Sequence, residues 1–263
     1  LSIAITTLRL MPELQITTLP GIPLVQPGDD LCAIIVNAAA QADFSFRAGD
    51  IVVVAQKIVS KAEGRLVALN DVKPSTAAHE LAQATDKDAR LVQLILDEST
   101  TVMRHKPGVI IVRHRLGMVG ANAGIDQSNI EGVEGEHALL LPRDPDASAL
   151  SLHQQLCRAT GQHLGVLIGD SHNRPWRLGT IGGAIGCAGF EVLDDRRGGQ
   201  DMFGRELKVT MINRADSIAA LATLLMGETD EGTPVAVVSG YQPDGVDGRA
   251  AEFYRPLEDD LFQ

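Results

Sequence analysis

Short apolar runs punctuate the chain. Ile51–Ala55, Leu164–Ile168 and Val235–Val238 are each bounded by Gly, Pro or charge. Runs this short and rich in β-branched residues predict buried strands rather than helices. Glu13–Leu19 alternates and predicts a further strand, leading into the stiff turn Pro20-Gly21-Ile22-Pro23. Longer stretches carry helical spacing. Leu31, Ile34, Ile35 and Ala38 follow Asp29 and Asp30, which suit an N-cap and first turn. Pro74-Ser75 opens a helix through Ala84, continued by Asp88–Leu96 as scaffold. Ser148–Ala159 is a helix closed by Gly161, and Asp216 caps another over Ser217–Met226. Val109–Val112 and Leu116–Val119 predict a hairpin around Arg113, His114 and Arg115, and Glu206–Asn213 predicts a strand. Strands interleaved with helices define a mixed α/β class.

Four of these elements end abruptly in polar residues: after Ala55, Val119, Ile168 and Leu225. The segment after Ile168 carries most: Asp170, Ser171, His172, Asn173, Arg174 and Arg177, and then Gly179, Gly182, Gly183, Gly186 and Gly189. It reads as a strand tip emptying into a polar turn, with backbone able to approach a neighbour closely. Ala55 is followed by Lys57, Lys61 and Arg65, Val119 by the stretch holding Asp126, and Leu225 by the acidic loop Gly227–Gly232 with Glu228.

Composition narrows the partners. In 263 residues the net charge is −11 and aromatics are 3%, which disfavours a polynucleotide, since phosphate binding relies on Lys and Arg. Apolar residues are 44%, enough for a full core. Cys32, Cys157 and Cys187 have no metal-binding spacing and read as reduced, buried thiols of a cytoplasmic protein. No apolar run has the ~18–20 residues needed to cross a bilayer. Leu1–Leu10 lacks a basic start, and residues 1–10 read as an extension ahead of Met11.

The polar loads complement one another. Asp126, Asp170, Glu228 and the Ser171 hydroxyl are oxygen donors, which suit Mg²⁺ or Mn²⁺ better than zinc. Lys57, Lys61, Arg65, Arg174 and Arg177 suit anions. Carboxylates, cations and Gly-rich backbone together are what phosphoryl transfer requires. There is no Walker A P-loop, and Gly179–Gly189 fails the Rossmann fingerprint. An esterase with Ser171 as nucleophile is set aside, because His172 is the last histidine and no base lies downstream.

Five motifs in register carry a resemblance. They are Gly49–Arg65, Asn122–Asn129, Asp144–Ala149, Asp170–Gly189 with Arg174-Pro175-Trp176-Arg177, and Leu225–Glu228. Over residues 14–241 the chain resembles the coenzyme F420-0:L-glutamate ligase family, in its free-standing form. The resemblance implies a two-lobed ligase-specific α/β fold, with residues 11–263 as one unit of two interleaved lobes that dimerises. It implies GTP-driven activation of the deazaflavin's phospholactyl carboxylate as an acyl phosphate, then amide formation with L-glutamate and further γ-linked additions.

Residue by residue, the resemblance makes Asp126 and Asp170 ligands of one divalent metal, and Ser171 and Glu228 ligands of a second, with K⁺ as a further cation. Asp126, Asp170, Glu228 and Lys61 form the catalytic set. GTP contacts fall on Ile22, Pro23, Leu24, Val25, Gln56, Lys57, Lys61 and Asn129, and on Met226, Gly227, Glu228, Thr229, Asp230, Glu231, Gly232 and Thr233. Two departures stand out. Gly169-Asp170-Ser171 replaces the common Thr-Asp-Thr, and Asn173 stands where Gly is usual. They leave as the alternative a protein that binds GTP and deazaflavin without ligating. Arg174 and Arg177 receive no role from spacing or resemblance.

Overall fold

A computed structural model describes residues 13–127, 136–241 and 247–261. In chain order the elements are β1 (Gln15–Thr18), α1 (Leu31–Gln41), β2 (Ile51–Ala55), α2 (Gln56–Ala62), β3 (Leu66–Ala68), α3 (Thr76–Thr85), α4 (Ala89–Asp97), β4 (Ser99–Lys106), β5 (Val109–His114), β6 (Val119–Ala121), β7 (His137–Leu139), α5 (Pro145–Thr160), β8 (Gly165–Asn173), β9 (Thr180–Ala188), β10 (Leu193–Asp195), β11 (Met211–Asn213), α6 (Arg214–Met226) and β12 (Val235–Ser239). The mixed α/β class follows.

The central sheet has the order β1-β12-β2-β8-β9. Only β2 and β8 run parallel, with Val52 opposite Val166 and Ala55 opposite Gly169. The apolar runs of these strands are buried because helices cover both faces. Val52, Val54, Val166, Ile168, Val235 and Val237 pack with α1 and α5 through Ile35, Ala39, Leu152 and Leu156. Ile51, Val53, Leu167, Ala236 and Val238 face α6 through Ala215, Ile218, Ala219 and Ala222. A third apolar cluster joins α3 and α4 to β5 through Ala78, Leu91, Val92, Ile95, Ile110 and Val112.

β9 is an edge strand, and the first turns of two helices guard it. Asp216 Oδ1 accepts from the Ala184 amide at 2.9 Å, and Asp146 Oδ1 from the Cys187 amide at 2.9 Å. Asp216 therefore serves the sheet, and the cap of α6 is Asn213, whose side chain accepts from the Asp216 amide.

Several expectations are corrected. β8 runs on through Asp170, Ser171 and His172 to Asn173, because the Gly-rich segment is its antiparallel partner β9 and supplies the ladder. Glu206–Asn213 yields only β11; Glu206 makes an isolated bridge to Gln200. The hairpin has its strands at Val109–His114 and Val119–Ala121, with β4 as an added third strand. The stretch 74–96 is two helices, broken where Asp86 takes a left-handed φ of 53°. α5 begins at Pro145 behind an Asp144 cap. Cys32 and Cys187 are buried, but Cys157 is only half-buried. Residues 1–10 lie outside the described residues.

Candidate functional site

The carboxyl ends of the parallel pair β2 and β8 meet at one rim of the sheet. α2 starts directly at the end of β2, so Lys57 and Lys61 stand one turn apart over that rim. The chain re-enters at β12 beside it, with the Ala55 amide donating to the Pro234 carbonyl at 2.8 Å. This connection draws in the loop 226–233. The segment 22–28 closes the other flank, where the Gly28 amide donates to the Ala62 carbonyl at 2.8 Å. Val25 is buried in the core beneath it, and Leu24 is 69% exposed.

Asp126 is delivered by an unusual turn. Asn122 and Ala123 hold positive φ values of 52° and 56° just before Gly124. Non-glycine residues rarely accept such backbone, and it persists where surroundings fix it. Here the Asn122 side chain accepts from the Ile110 amide, and Ala123 is buried. Asp126 then bridges Leu139, exchanging both backbone hydrogen bonds at 3.0 and 2.8 Å. Its carboxylate meets Lys57 Nζ at 2.6 Å.

Asp170 and Ser171 are consecutive on β8, and so point to opposite sides of the strand. Ser171 Oγ donates to Glu228 Oε2. The Asp170 carboxyl is hemmed in by protein although part of the residue's surface meets solvent. Burial raises its pKa to about 7, and the charges of Asp126 and Glu228 push the same way against the Ser171 amide and Lys57. The site thus holds more negative charge than its lysine offsets.

The loop of predicted GTP contacts is closed on itself. Glu231 Oε2 accepts from the Thr229 amide at 2.8 Å, and Thr233 Oγ1 donates to the Met226 carbonyl at 2.8 Å. Hydrogen bonding from the Thr229 amide holds the Glu231 carboxyl below its usual range. Glu231 therefore shapes the loop, while Glu228 reaches the strand. Gln56 is buried, its Oε1 accepting from Ser60 Oγ at 2.9 Å. Asn129 lies outside the described residues.

Asp170 and Ser171 line a cleft of about 530 Å³ whose walls do not include Lys57 or Lys61. Its walls include His172, Asn173 and Thr180 of the β8–β9 hairpin, Gly117–Ala121, and Phe253, Tyr254 and Asp260 of the C-terminal segment. Arg113 Nη2 pairs with Asp260 Oδ2 at 3.0 Å across it. Sequence reasoning missed this wall, since no pattern links Arg113 to a residue so far along the chain. A second cavity of about 600 Å³ lies between the N-termini of α1 and α5 and touches none of the predicted site residues.

Among the described residues, no three His, Cys, Asp or Glu side chains converge as a ready metal-holding group. The donor chemistry nonetheless fits a hard cation. All donors are oxygens, burial and then the neighbouring acids push the Asp170 pKa up to about 7, and the close counter-charge is an ammonium.

Fold and site together define an α/β protein with an anionic centre at the carboxyl ends of a parallel strand pair. The family model for F420-0:gamma-glutamyl ligase matches residues 21–240. The chain is 44% identical to the coenzyme F420:L-glutamate ligase of Methanothermobacter thermautotrophicus over 92% of its length and 96% of the relative's. Identity to the enzyme of that name from Methanopyrus kandleri is 43%, over 89% and 90%, and from Archaeoglobus fulgidus 41%, over 95% and 97%. The chain belongs to the F420-0:gamma-glutamyl ligase family and is a ligase. No helix among the described residues is long and apolar enough to cross a membrane.

Proposed function

We propose that this ligase joins L-glutamate to coenzyme F420-0 at the expense of GTP. The carrying observation is the placement of Asp170 and Ser171, which line the open cleft while Asp170 feels the charges of Lys57 and Glu228 and Ser171 bonds to Glu228. GTP lies over the rim, where Lys57 and Lys61 offset its phosphate charge. The acceptor lies in the cleft, so that its carboxylate reaches the γ-phosphorus at the Asp170–Ser171 step. The carboxylate oxygen bonds to that phosphorus as the bond to GDP breaks. The amine of L-glutamate then attacks the acyl carbon, phosphate leaves, and the amide nitrogen releases a proton.

Asp126, Asp170, Ser171 and Glu228 would hold divalent ions, which together with K⁺ would supply charge neutralisation for phosphoryl transfer. Lys57 holds Asp126 in place through its ion pair, and Glu228 orients the Ser171 hydroxyl. The β2–β8 ladder keeps the ends of the two strands in register. The same reading makes the protein a cytoplasmic homodimer without nucleic-acid or membrane partners.

The test is incubation with glutamate-free deazaflavin, GTP, L-glutamate and Mg²⁺ or Mn²⁺, followed by mass spectrometry. Product gains glutamyl masses as GDP accumulates, and chelation stops the reaction until metal is restored. GTP binding with no GDP released in the full mixture would establish the alternative of a binding protein.

A further inference from the structure

The tip of the β8–β9 hairpin carries a motif that the reaction has not yet used: Arg174-Pro175-Trp176-Arg177. Trp176 is the chain's single tryptophan and is 83% exposed. It holds a positive φ of 60°. A bulky residue in that region is a genuine outlier, and such outliers cluster where a ligand is clamped. Beside it, one guanidinium nitrogen of Arg174, Nη1, is buried without a hydrogen-bond partner, a costly arrangement that an anion relieves. Arg177, next to Trp176 in the chain, is exposed. The hairpin continues directly from the cleft wall, since the pair Asn173–Thr180 both lines the cleft and closes the ladder below the tip.

We infer that this tip recognises the acceptor, with Trp176 stacking on a flat heteroaromatic ring and Arg174 and Arg177 binding the anionic phosphodiester attached to it. The chemistry selects this ligand over the others in the reaction. An exposed indole flanked by guanidiniums suits a molecule that is planar at one end and anionic next to it. L-glutamate has no ring. The nucleotide has one, but Lys57 and Lys61, which suit its phosphates, are not among the walls of the cleft. This inference rests on the ligase reading proposed above.

The single tryptophan makes the test specific. Titrating the full-length protein with glutamate-free deazaflavin should quench Trp176 emission saturably, with a midpoint matching the independently measured Kd from calorimetry. Trp176→Ala should raise the KM for the acceptor about 5- to 100-fold, the range for loss of one aromatic stack, with the KM for GTP within about twofold. Trp176→Phe should recover most of that loss. Arg174→Gln and Arg177→Gln should weaken binding of the full acceptor, and leave that of a neutral deazaflavin alcohol without the phosphodiester unchanged.

Acceptor binding by calorimetry with unchanged emission, or an unchanged acceptor KM in Trp176→Ala, overturns the inference and leaves the ligase reading intact. Wild-type protein that forms no glutamylated product overturns the ligase reading. In that protein, quenching by the deazaflavin would still support the stacking, and absence of quenching would refute it.

Discussion

Asp170 sits among two carboxylates and one ammonium, on a strand whose apolar run ends just before it. An acid that burial and like charge hold near pH 7 is destabilising on its own, and a bound cation would relieve it. Removing the charge separates the two effects. Asp170→Asn keeps the shape, so the thermal midpoint should stay level or rise, while turnover falls by about 10²- to 10³-fold, the scale of losing one electrostatic group at a phosphoryl or acyl centre. Glu228→Gln should cost activity on a similar scale, because the amide still accepts from Ser171 but no longer contributes charge. Calorimetric melting alongside product assays checks both, and near-normal turnover in either variant removes that residue from the centre. These acids were legible in the sequence because each follows an apolar run. The Lys57–Asp126 pair was not, since it depends on two turns meeting across the fold. The interior hydrogen bond of Gln56 was equally hidden, because helix α2 begins without a break after β2.

At the scale of elements, the hairpin β8–β9 joins chemistry to scaffold. As sequence, its row of glycines suits a loop and a tightly packed strand equally well. In the fold they form a strand between two helices. A Cβ on Gly182 would collide with Thr223 Oγ1 and lie 2.6 Å from the Ala219 carbonyl oxygen of α6. One on Gly186 would collide with the Pro145 carbonyl at the start of α5. Neither helix can yield locally, because the obstacles include backbone. Gly182→Ala and Gly186→Ala should each destabilise the fold by about 1–3 kcal/mol, the range for overpacking a tight interface, read as a lower urea midpoint at unchanged m-value. A midpoint equal to wild type would mean that α5 and α6 are not seated on β9 as described. The strand cores were read correctly because period and burial agree. The ends of β8 and β11 were misread because pairing partners, not composition, set them.

Across the whole molecule, one buried acid ties the third apolar cluster to the main sheet. Glu98, at the end of α4, receives Arg65 Nη2 at 2.9 Å, Arg115 Nε at 3.1 Å and His114 Nε2 at 3.3 Å. Arg65 also donates to the Leu141 carbonyl and Arg115 to the Arg143 carbonyl. The network therefore clamps the chain where it leaves α2 for β3 and where it returns from β7 to α5. Burial alone would raise the Glu98 pKa, but the adjacent His114 imidazole, the hydrogen bond from Arg65 and the charges of Arg65 and Arg115 bring it down to about 2. A depressed folded-state pKa means that the unfolded chain takes up the proton first as pH falls. The stabilisation is then complete above the unfolded value near 4.5 and drains away between there and about 2. Allowing for solvent screening, it amounts to about 1–2 kcal/mol. Glu98→Gln should flatten the acid limb of a stability-versus-pH curve from denaturant titrations. Glu98→Ala should cost more, about 3–5 kcal/mol, because it leaves Arg65 buried without its anion. Leu139 pairs with Asp126 just before the chain reaches Leu141, where Arg65 holds it, so the same loss should loosen the centre and raise the metal concentration needed for half-maximal turnover. An acid limb as steep in Glu98→Gln as in wild type would assign the pH dependence to other carboxylates.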